Sequence, residues 1–443
     1  MASSLLFSAS FFGHPIPISI RTRTVPCRRR SMAIEASKEV TDVSSQNQPR
    51  MLTFLGKGGS GKTTSAVFAA RHFALSGLRT CLVIHNQDAT PEYLLDCKIG
   101  NSPVECSHNL SAVRLETTQM LLEPLKRLKQ ADSRLNMTQG TLEGIVGEEL
   151  GILPGMDSIF SVLQLERFLG LSGIMAQTDQ KPKYDIVVYD GICTEETIRM
   201  IGATSKARLY LKYLRSIAEK TDLGRLATPS IMRLVDEAMN ISSPGSHLSG
   251  RTSTDTWQAL ERMLEKGSSA IAEPRRFSCF IVMDPTSPAS VKSASRYWGC
   301  TIQAGAQISG AFASISSGLD AESAARLKEN FSPLSLAFMP QISVGSPVDW
   351  NTVLLDASSK GPRNLLSSSK SHSSNLPSPV KFNPGNKSAS RSQKSGFTRH
   401  YRGGSELLVE AGDQRRVISL PKEIQGKVGG AKFTDRSLVI TMR

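Results

Sequence analysis

The sequence predicts an α/β protein with a doubly wound, mostly parallel sheet, a helical subdomain and a small C-terminal β unit. Between residues 50 and 340, short apolar runs alternate with patterns of helical periodicity, as in strand–helix–strand units. A glycine-rich loop follows the first apolar run. Residues 405–443 show a two-residue alternation interrupted by glycines, which indicates short strands joined by turns.

The order of the elements follows from these patterns. The predicted strands are 50–55, 79–85, 184–190 and 277–283, with weaker candidates at 302–309 and 334–339. The predicted helices are 65–76, 195–218, 256–266 and 288–300, with further amphipathic helices within 111–180. We place the domain that they build at residues 48–356.

The net charge of +14 is confined to two segments. Residues 1–34 contain five arginines and no acid, and residues 357–404 contain nine lysines and arginines and no acid. The rest of the chain is neutral, so a basic face for nucleic acid is not expected. No apolar run approaches the roughly 18 residues of a membrane-spanning helix, so an integral membrane protein is not expected either.

Residues 1–35 have the composition of an organellar leader. They are rich in serine and arginine, and their arginines follow the apolar stretch, whereas a secretory signal begins with its positive charge. This pattern predicts a chloroplast transit peptide and a location in the stroma, and we expect nothing before Asn47 to fold. A disordered N-terminus is the alternative. Free thiols are expected for the seven cysteines, which include no C-x-x-C pair.

Residues 357–404 contain 13 serines and no acid, which predicts a disordered, basic linker. The unit after it, 405–443, is too small to be very stable alone, so it is expected to pack on the main domain or on a partner chain.

The glycine-rich loop fits the phosphate-binding pattern G-x-x-x-x-G-K-[ST] and lies between a predicted strand and a predicted helix. Its candidate nucleotide-binding residues are Gly56, Lys57, Gly58, Gly59, Ser60, Gly61, Lys62, Thr63 and Thr64. Backbone N–H groups and the helix N-terminus would hold the phosphates of ATP, while Lys62 reaches the β- and γ-phosphates and the Thr63 hydroxyl ligates Mg²⁺. The fold class is therefore that of a P-loop NTPase.

Lys57 is the second lysine of this loop. One phosphate group has little use for two lysines, so we interpret Lys57 as the residue that reaches across a homodimer interface to the partner's nucleotide. The alternative is a solvated loop residue.

Three residues after strand ends complete the predicted site. Asp190 ends the apolar run YDIVVYD, where a carboxylate would hold Mg²⁺, and Gly191 offers its N–H to the γ-phosphate. Asp88 follows the second strand and is the candidate that orients or deprotonates the attacking water. The alternatives are a strand-end aspartate that caps a turn for Asp190 and an Asx-turn in NQDATP for Asp88.

These residues resemble the ArsA family of arsenite-transport ATPases, which includes the ATPases that target tail-anchored membrane proteins. The loop GKGGSGKTT matches the family's phosphate loop, and LPGMDSIF (153–160) matches its L-P-G-x-D run. NQDATPEYLL and DGICTEETIRMI resemble its first and second switches, with Ala89, Tyr93 and Glu196 as departures. Residues 405–443 resemble the α-crystallin-like extension of a photosynthetic-lineage branch.

The resemblance implies roles for particular residues. Asp88 becomes the water-activating carboxylate, and Thr194 and Arg199 match the threonine and arginine of the second switch. The C-x-x-C pair that binds a dimer-bridging zinc in the family's eukaryotic targeting factors is absent. The arsenite-binding cysteines of the bacterial pump subunit have no convincing match here.

Two functions follow. The first is an ATP-hydrolysing carrier for hydrophobic segments of tail-anchored proteins, with 231–240 and 256–267 as candidate groove helices. The second is a nucleotide-gated regulator, or an assembly ATPase for a cofactor or metallocluster, without a polypeptide client.

Overall fold

The computed structural model describes part of the chain. The described residues are 18–23, 49–135, 156–169, 183–239, 252–314, 320–342, 348–368, 380–385, 406–411, 414–434 and 437–442.

The strands are β1 (Ile18–Arg23), β2 (Arg50–Leu55), β3 (Thr80–Ile84), β4 (Val104–Ser107), β5 (Leu110–Arg114), β6 (Ile186–Asp190), β7 (Phe277–Met283), β8 (Ile308–Ser314), β9 (Leu336–Met339), β10 (Val380–Gly385), β11 (Glu406–Ala411), β12 (Gln414–Ser419), β13 (Val428–Thr434) and β14 (Ser437–Met442). The α-helices are α1 (Lys62–Leu75), α2 (Thr90–Leu95), α3 (Thr117–Leu135), α4 (Met156–Leu169), α5 (Thr194–Lys220), α6 (Asp222–Met239), α7 (Ser253–Ala272), α8 (Pro288–Ala304), α9 (Ala321–Asn330), α10 (Trp350–Leu355) and α11 (Lys360–Ser368).

Eight strands form the central sheet in the order β4-β5-β3-β6-β2-β7-β8-β9. All neighbouring pairs are parallel except the hairpin β4–β5, so the predicted α/β fold is confirmed. Successive strand residues alternate between two buried clusters, one on each face. Helix α1 packs in one cluster, and helices α5 and α8 pack in the other. Strands buried on both faces explain the continuous apolar runs in the sequence.

The helical subdomain lies beside this sheet. Helices α3, α4, α5, α6 and α7 pack against one another, and α5 packs on α4, α6 and α7. Its predicted L-P-G-x-D run is described only from Met156 onwards, and residues 153–155 lie outside the described residues.

One strand prediction was wrong in its position. Residues 302–309 were expected to be a strand, but helix α8 continues to Ala304 and the strand begins at Ile308. Gly305 separates the two elements in the left-handed region, with φ at 112°. A glycine in that conformation ends a helix, and the sequence pattern did not distinguish this from a turn inside a strand.

The predicted start of the disordered linker, residue 357, was placed too early in the chain. Residues 360–368 form helix α11, in which Leu365 and Leu366 are buried against the sheet, and the nucleotide-binding domain therefore extends beyond residue 356 to Ser368. Gly310 of β8 makes room for this helix, since a Cβ there would lie 2.7 Å from Leu365 Cδ1. The linker was predicted from the high serine content of the whole segment, and the two leucines were not considered. Most of the remaining linker lies outside the described residues.

Strand β1 lies inside the predicted leader, so the expectation that nothing folds before Asn47 was wrong for residues 18–23. It runs parallel to β10 and β14 in a four-stranded sheet with the order β10-β1-β14-β13. Ile18 and Ile20 alternate with polar residues, a strand pattern that an interpretation based on composition did not use. Whether residues 1–35 are a transit peptide stays a prediction.

The C-terminal unit contains four short strands, in agreement with the alternation that predicted strands there. Strands β11 and β12 form an antiparallel hairpin that packs on α5 and α8 through β12. Leu407, Ile418, Leu420, Ile424 and Ile440 are buried together with Met442. The extension therefore shares a small core and rests on the main domain.

Replacing Leu366 by alanine tests the extended domain boundary. Leu366 is 0% exposed, so we expect Leu366→Ala to lower the free energy of unfolding by about 2–5 kcal/mol through lost burial and a cavity. Leu355→Ala is the control, because Leu355 is 76% exposed and a surface change usually stays within about 0.5 kcal/mol. Chemical denaturation measures the free energy of unfolding of both variants. Equal values for Leu366→Ala and Leu355→Ala would show that residues 360–368 are not part of the folded domain.

Candidate active site

The register of the parallel strands brings the predicted site together at one edge of the sheet. Ile84 of β3 pairs with Asp190 of β6, and Thr53 of β2 pairs with Tyr189 of β6. The segments that follow β2, β3 and β6 therefore begin side by side. This edge, at the carboxyl ends of the strands, is where open α/β sheets bind ligands.

The phosphate loop needs its glycines for two physical reasons. Gly59 and Gly61 lie in the left-handed region, with φ at 79° and 93°, and the second immediately precedes α1. Gly56 is packed so tightly that a Cβ would lie 2.2 Å from the Val282 carbonyl oxygen and 2.4 Å from Ser60 Oγ. The loop can therefore turn sharply, and the first turn of α1 presents its unbonded N–H groups at the end of the loop.

The two lysines of the loop differ in their placement. Lys62 Nζ bends back and donates to the Lys57 carbonyl oxygen at 3.5 Å, so its ammonium lies over the phosphate loop. Lys57, in the same loop, is exposed. Thr64 follows in the first turn of α1 and is half-buried.

A buried carboxylate joins three segments of the site. Asp190 Oδ2 accepts hydrogen bonds from Thr63 Oγ1 at 2.9 Å and from Asn86 Nδ2 at 2.8 Å. Burial raises the pKa of Asp190 to about 6, and the bonds from Thr63 and Asn86 and the nearby charge of Lys62 oppose that rise. A hydroxyl and a carboxylate this close are the hard oxygen donors that Mg²⁺ prefers, so the residues present fit this ion.

Asp88 lies just beyond this cluster in an exposed loop. Its Oδ1 accepts from the Thr90 backbone N–H at 3.1 Å and its Oδ2 accepts from Thr90 Oγ1 at 2.7 Å. This is the local turn that the sequence left open as an alternative. The turn does not exclude a catalytic role, since both bonds are local and exposed.

The second switch is attached directly to the phosphate loop. Thr194 Oγ1 donates to the Gly56 carbonyl oxygen at 2.6 Å and accepts from the Gly56 N–H at 2.9 Å. Gly191 is buried at the end of β6, where a Cβ would lie 2.3 Å from Thr197 Oγ1. Arg199 is held by an ion pair with Glu196, one of the departures from the family's second switch, and the two side chains are 52% and 39% exposed.

Two residues of the site were missed by sequence reasoning. Asn86 contacts Asp190, and Arg114, at the end of β5, donates to the carbonyl oxygens of Asn86 and Asp88. A polar residue directly after an apolar strand was an available signal for Asn86. For Arg114 the signal was a cation that ends a strand whose other residues are mostly buried.

Two family matches cover most of the described fold. Residues 49–298 match the ArsA ATPases, described as anion-transporting ATPases, and residues 400–442 match the HSP20-like domain found in ArsA proteins. The chain belongs to the ArsA ATPase family. The resemblance inferred from the phosphate loop and from the C-terminal extension is thereby confirmed.

Individual relatives agree with this assignment. A Prosthecochloris vibrioformis protein that carries the name of an arsenical pump-driving ATPase is 28% identical over 168 residues, 38% of this chain and 39% of that protein. ATPase ASNA1 homolog 1 of Paramecium tetraurelia is 30% identical over 160 residues, 35% of this chain and 44% of the relative. ATPase GET3 of Komagataella phaffii is 24% identical over 178 residues, 39% of this chain and 50% of the relative. The matches thus span half or less of each relative.

Within the described residues, no helix is both long and apolar enough to cross a membrane. The same residues include six free cysteines and no cluster of three or more histidine, cysteine or acidic side chains suited to a metal ion.

The raised pKa of Asp190 predicts that its carboxylate, which is suited to Mg²⁺, destabilises the folded protein when no ion is bound. A folded-state pKa above the unfolded value of about 3.9 means that the buried carboxylate lowers the free energy of unfolding above pH 6. This penalty disappears as the pH falls towards 4. Without nucleotide and Mg²⁺, Asp190→Asn should therefore be more stable than the wild type at pH 7.5, on the order of 1–3 kcal/mol, and not at pH 4.5.

Denaturation at the two pH values measures this difference. Asp185→Asn is the control, because Asp185 is paired with Arg79 and the pKa of its carboxyl is lowered. That variant should lose stability at pH 7.5. A destabilised Asp190→Asn protein at pH 7.5 would contradict the penalty.

Proposed function

We propose that this protein is a Mg²⁺-dependent ATPase that acts as a homodimer in the chloroplast stroma and carries hydrophobic segments of tail-anchored membrane proteins. The observation that carries the client assignment is an apolar strip on helix α5, which begins at the nucleotide site. The hydrolysis rests on the arrangement of Lys62, Thr63, Asp88 and Asp190, and on membership of an ATPase family.

The proposed reaction is in-line attack of water on the γ-phosphate. Asp88 orients the water and takes its proton while the bond between the γ-phosphorus and the bridging oxygen breaks. Lys62 and the N–H groups of the phosphate loop neutralise the charge that develops on the phosphate oxygens. Mg²⁺ would be held by Thr63 and, through water, by Asp190, and would withdraw charge from the β- and γ-phosphates.

The client-binding surface proposed here is exposed and apolar. Tyr210, Tyr213, Leu214 and Ile217 of α5 are all exposed by 42% or more, and their spacing of three and four residues places them on one face of the helix. Leu226 and Ile231 are exposed on the neighbouring helix α6. An apolar helix would bury such a strip, as amphipathic surfaces do in helix-in-groove recognition.

This surface shares Ile231 with the one expected from sequence and otherwise differs from it. Met232 and Leu234 of the predicted groove segment 231–240 are buried, and so is Trp257 of the segment 256–267. Those residues belong to the interior of the helical subdomain. The pattern Y-x-x-Y-L-x-x-I at 210–217 was the signal for the exposed strip.

The homodimer and the location are supported by sequence features. Lys57 is exposed at the nucleotide site, where it is available to a second copy of the chain. The serine- and arginine-rich composition of residues 1–35 supports the plastid. Light scattering with and without ATP tests the dimer, and an import assay with isolated chloroplasts tests the location.

Asp88→Asn should stop turnover and leave MgATP binding within about threefold of wild type. The amide can still accept from Thr90, but it cannot take a proton from water. Phosphate release measures turnover, and calorimetric titration measures binding. Asp96→Asn is the matched control, since Asp96 caps the far end of α2. Turnover by Asp88→Asn at the wild-type rate would remove Asp88 from this role.

Leu214→Ser should weaken capture of a tail-anchored protein by about tenfold, because it places a hydroxyl in the middle of the apolar strip. Leu75→Ser is the matched control, since Leu75 is 59% exposed on α1 and Leu214 is 55% exposed on α5. Capture is measured by co-purification of a tail-anchored protein synthesised without detergent. Equal capture by both variants, or no capture by the wild type, would favour the regulator or cofactor-assembly function.

A further inference from the structure

The guanidinium of Arg114 holds the backbone of the loop that carries Asp88. We propose that Arg114 is a positioning residue for ATP hydrolysis, which places Asp88 at the nucleotide site without contacting the reacting atoms. This inference rests on the proposed role of Asp88.

The contacts of Arg114 are directed at the main chain. Nη1 and Nη2 each donate to the Asp88 carbonyl oxygen at 3.3 Å, and Nη1 also donates to the Asn86 carbonyl oxygen. Nη2 lies 3.4 Å from Glu92 Oε1, which also accepts from the Ile99 N–H. One side chain thereby joins the start of the loop, the residue proposed as the base, and the first turn of α2.

Arg114 is itself held by the sheet. It is the last residue of β5 and pairs with Ile84, the residue from which the loop departs, and its own N–H donates to the Gly100 carbonyl oxygen at 2.8 Å. Its side chain is only 11% exposed. A planar fork with five donors is suited to several acceptors at once, and an ammonium is not.

The direction of these bonds matters for the chemistry. Both carboxylate oxygens of Asp88 are bonded to Thr90, and each oxygen keeps a lone pair that can accept from a water. Arg114 bonds to the carbonyl oxygen of Asp88 and not to its carboxylate. The side chain can therefore turn while the backbone stays in place.

The opposite end of α2 has anchors of its own. Trp350 Nε1 donates to the Leu94 carbonyl oxygen at 2.7 Å, and Arg71 Nη2 donates to the Leu95 carbonyl oxygen at 3.3 Å. Without Arg114, α2 would remain attached at its C-terminal end, and the loop at 86–89 would lose its attachment to β5. The expected defect is therefore local to Asp88.

Loss of Arg114 should reduce kcat more than it reduces binding. A displacement of about 1 Å in a catalytic group can cost about 100-fold in rate, so we expect Arg114→Met to lower kcat by about 10- to 100-fold. The affinity for MgATP should stay within about threefold of wild type, because Arg114 makes no bond to the phosphate loop. Arg114→Lys should be intermediate, since an ammonium cannot reproduce the fork.

The experiment uses the full chain and measures kcat by phosphate release, MgATP affinity by titration, and the melting temperature of each variant. Arg79→Met is the matched control, because Arg79 pairs with Asp185 in an exposed bridge away from the site. It should keep the wild-type kcat. Glu92→Gln removes the ion pair and leaves the two carbonyl acceptors, so it should cost less than Arg114→Met.

A double variant separates this inference from the role of Asp88. If Arg114 acts through Asp88, adding Arg114→Met to Asp88→Asn should leave the slow residual hydrolysis, measured in a single turnover with enzyme in excess of ATP, unchanged. Independent effects would multiply. Multiplying effects, or an Arg114→Lys protein with wild-type kcat, would overturn the inference even if Arg114→Met does not fold. An active Arg114→Met beside an inactive Asp88→Asn would overturn this inference alone, and an active Asp88→Asn would overturn both proposals.

Discussion

The arrangement of the nucleotide site depends on one buried carboxylate, that of Asp190. It is 3% exposed and accepts from the phosphate loop through Thr63 and from the first switch through Asn86. A charge in this position is unfavourable for folding, as its raised pKa indicates. The protein therefore buries a negative charge at an energetic cost, at a position where a bound divalent cation would reduce that cost. Such a group is easier to explain by function than by stability.

A second link connects the phosphate loop to the helical subdomain. The Thr194 hydroxyl satisfies both the N–H and the carbonyl of Gly56, and Gly56 has no room for a side chain between Val282 and Ser60. Because the pair is buried, a displacement of the loop start would leave two polar groups without partners. The loop and the first residue of α5 should therefore move as one unit. This coupling depends on Thr194, which the sequence identifies only through an imperfect match to the family's second switch.

Local patterns were sufficient to predict much of the sheet. Strands β2 and β7 were placed correctly because their residues are buried on both faces and form continuous apolar runs. The phosphate loop was equally clear, since it is contiguous in sequence. Helix α11 was missed because it is defined by a long-range contact: Leu365 packs against Gly310, which lies more than 50 residues earlier in the sequence. Arg114 was missed for a similar reason, because its acceptors lie on a loop that only the pairing of β3 with β5 brings close.

Helix α5 gives the proposed carrier function a mechanical basis. It starts at Thr194, which is hydrogen-bonded to Gly56 of the phosphate loop, and carries the exposed strip that begins at Tyr210. At 1.5 Å per residue, the strip begins about 24 Å from the nucleotide contact. A helix is stiff over this distance, so a rotation or shift at its N-terminus reaches Tyr213 and Leu214 without any intervening hinge. Strand β12 of the C-terminal unit packs on the same helix, which places the HSP20-like extension against the element that would move. On the proposed function, nucleotide state, client surface and extension therefore meet on a single helix.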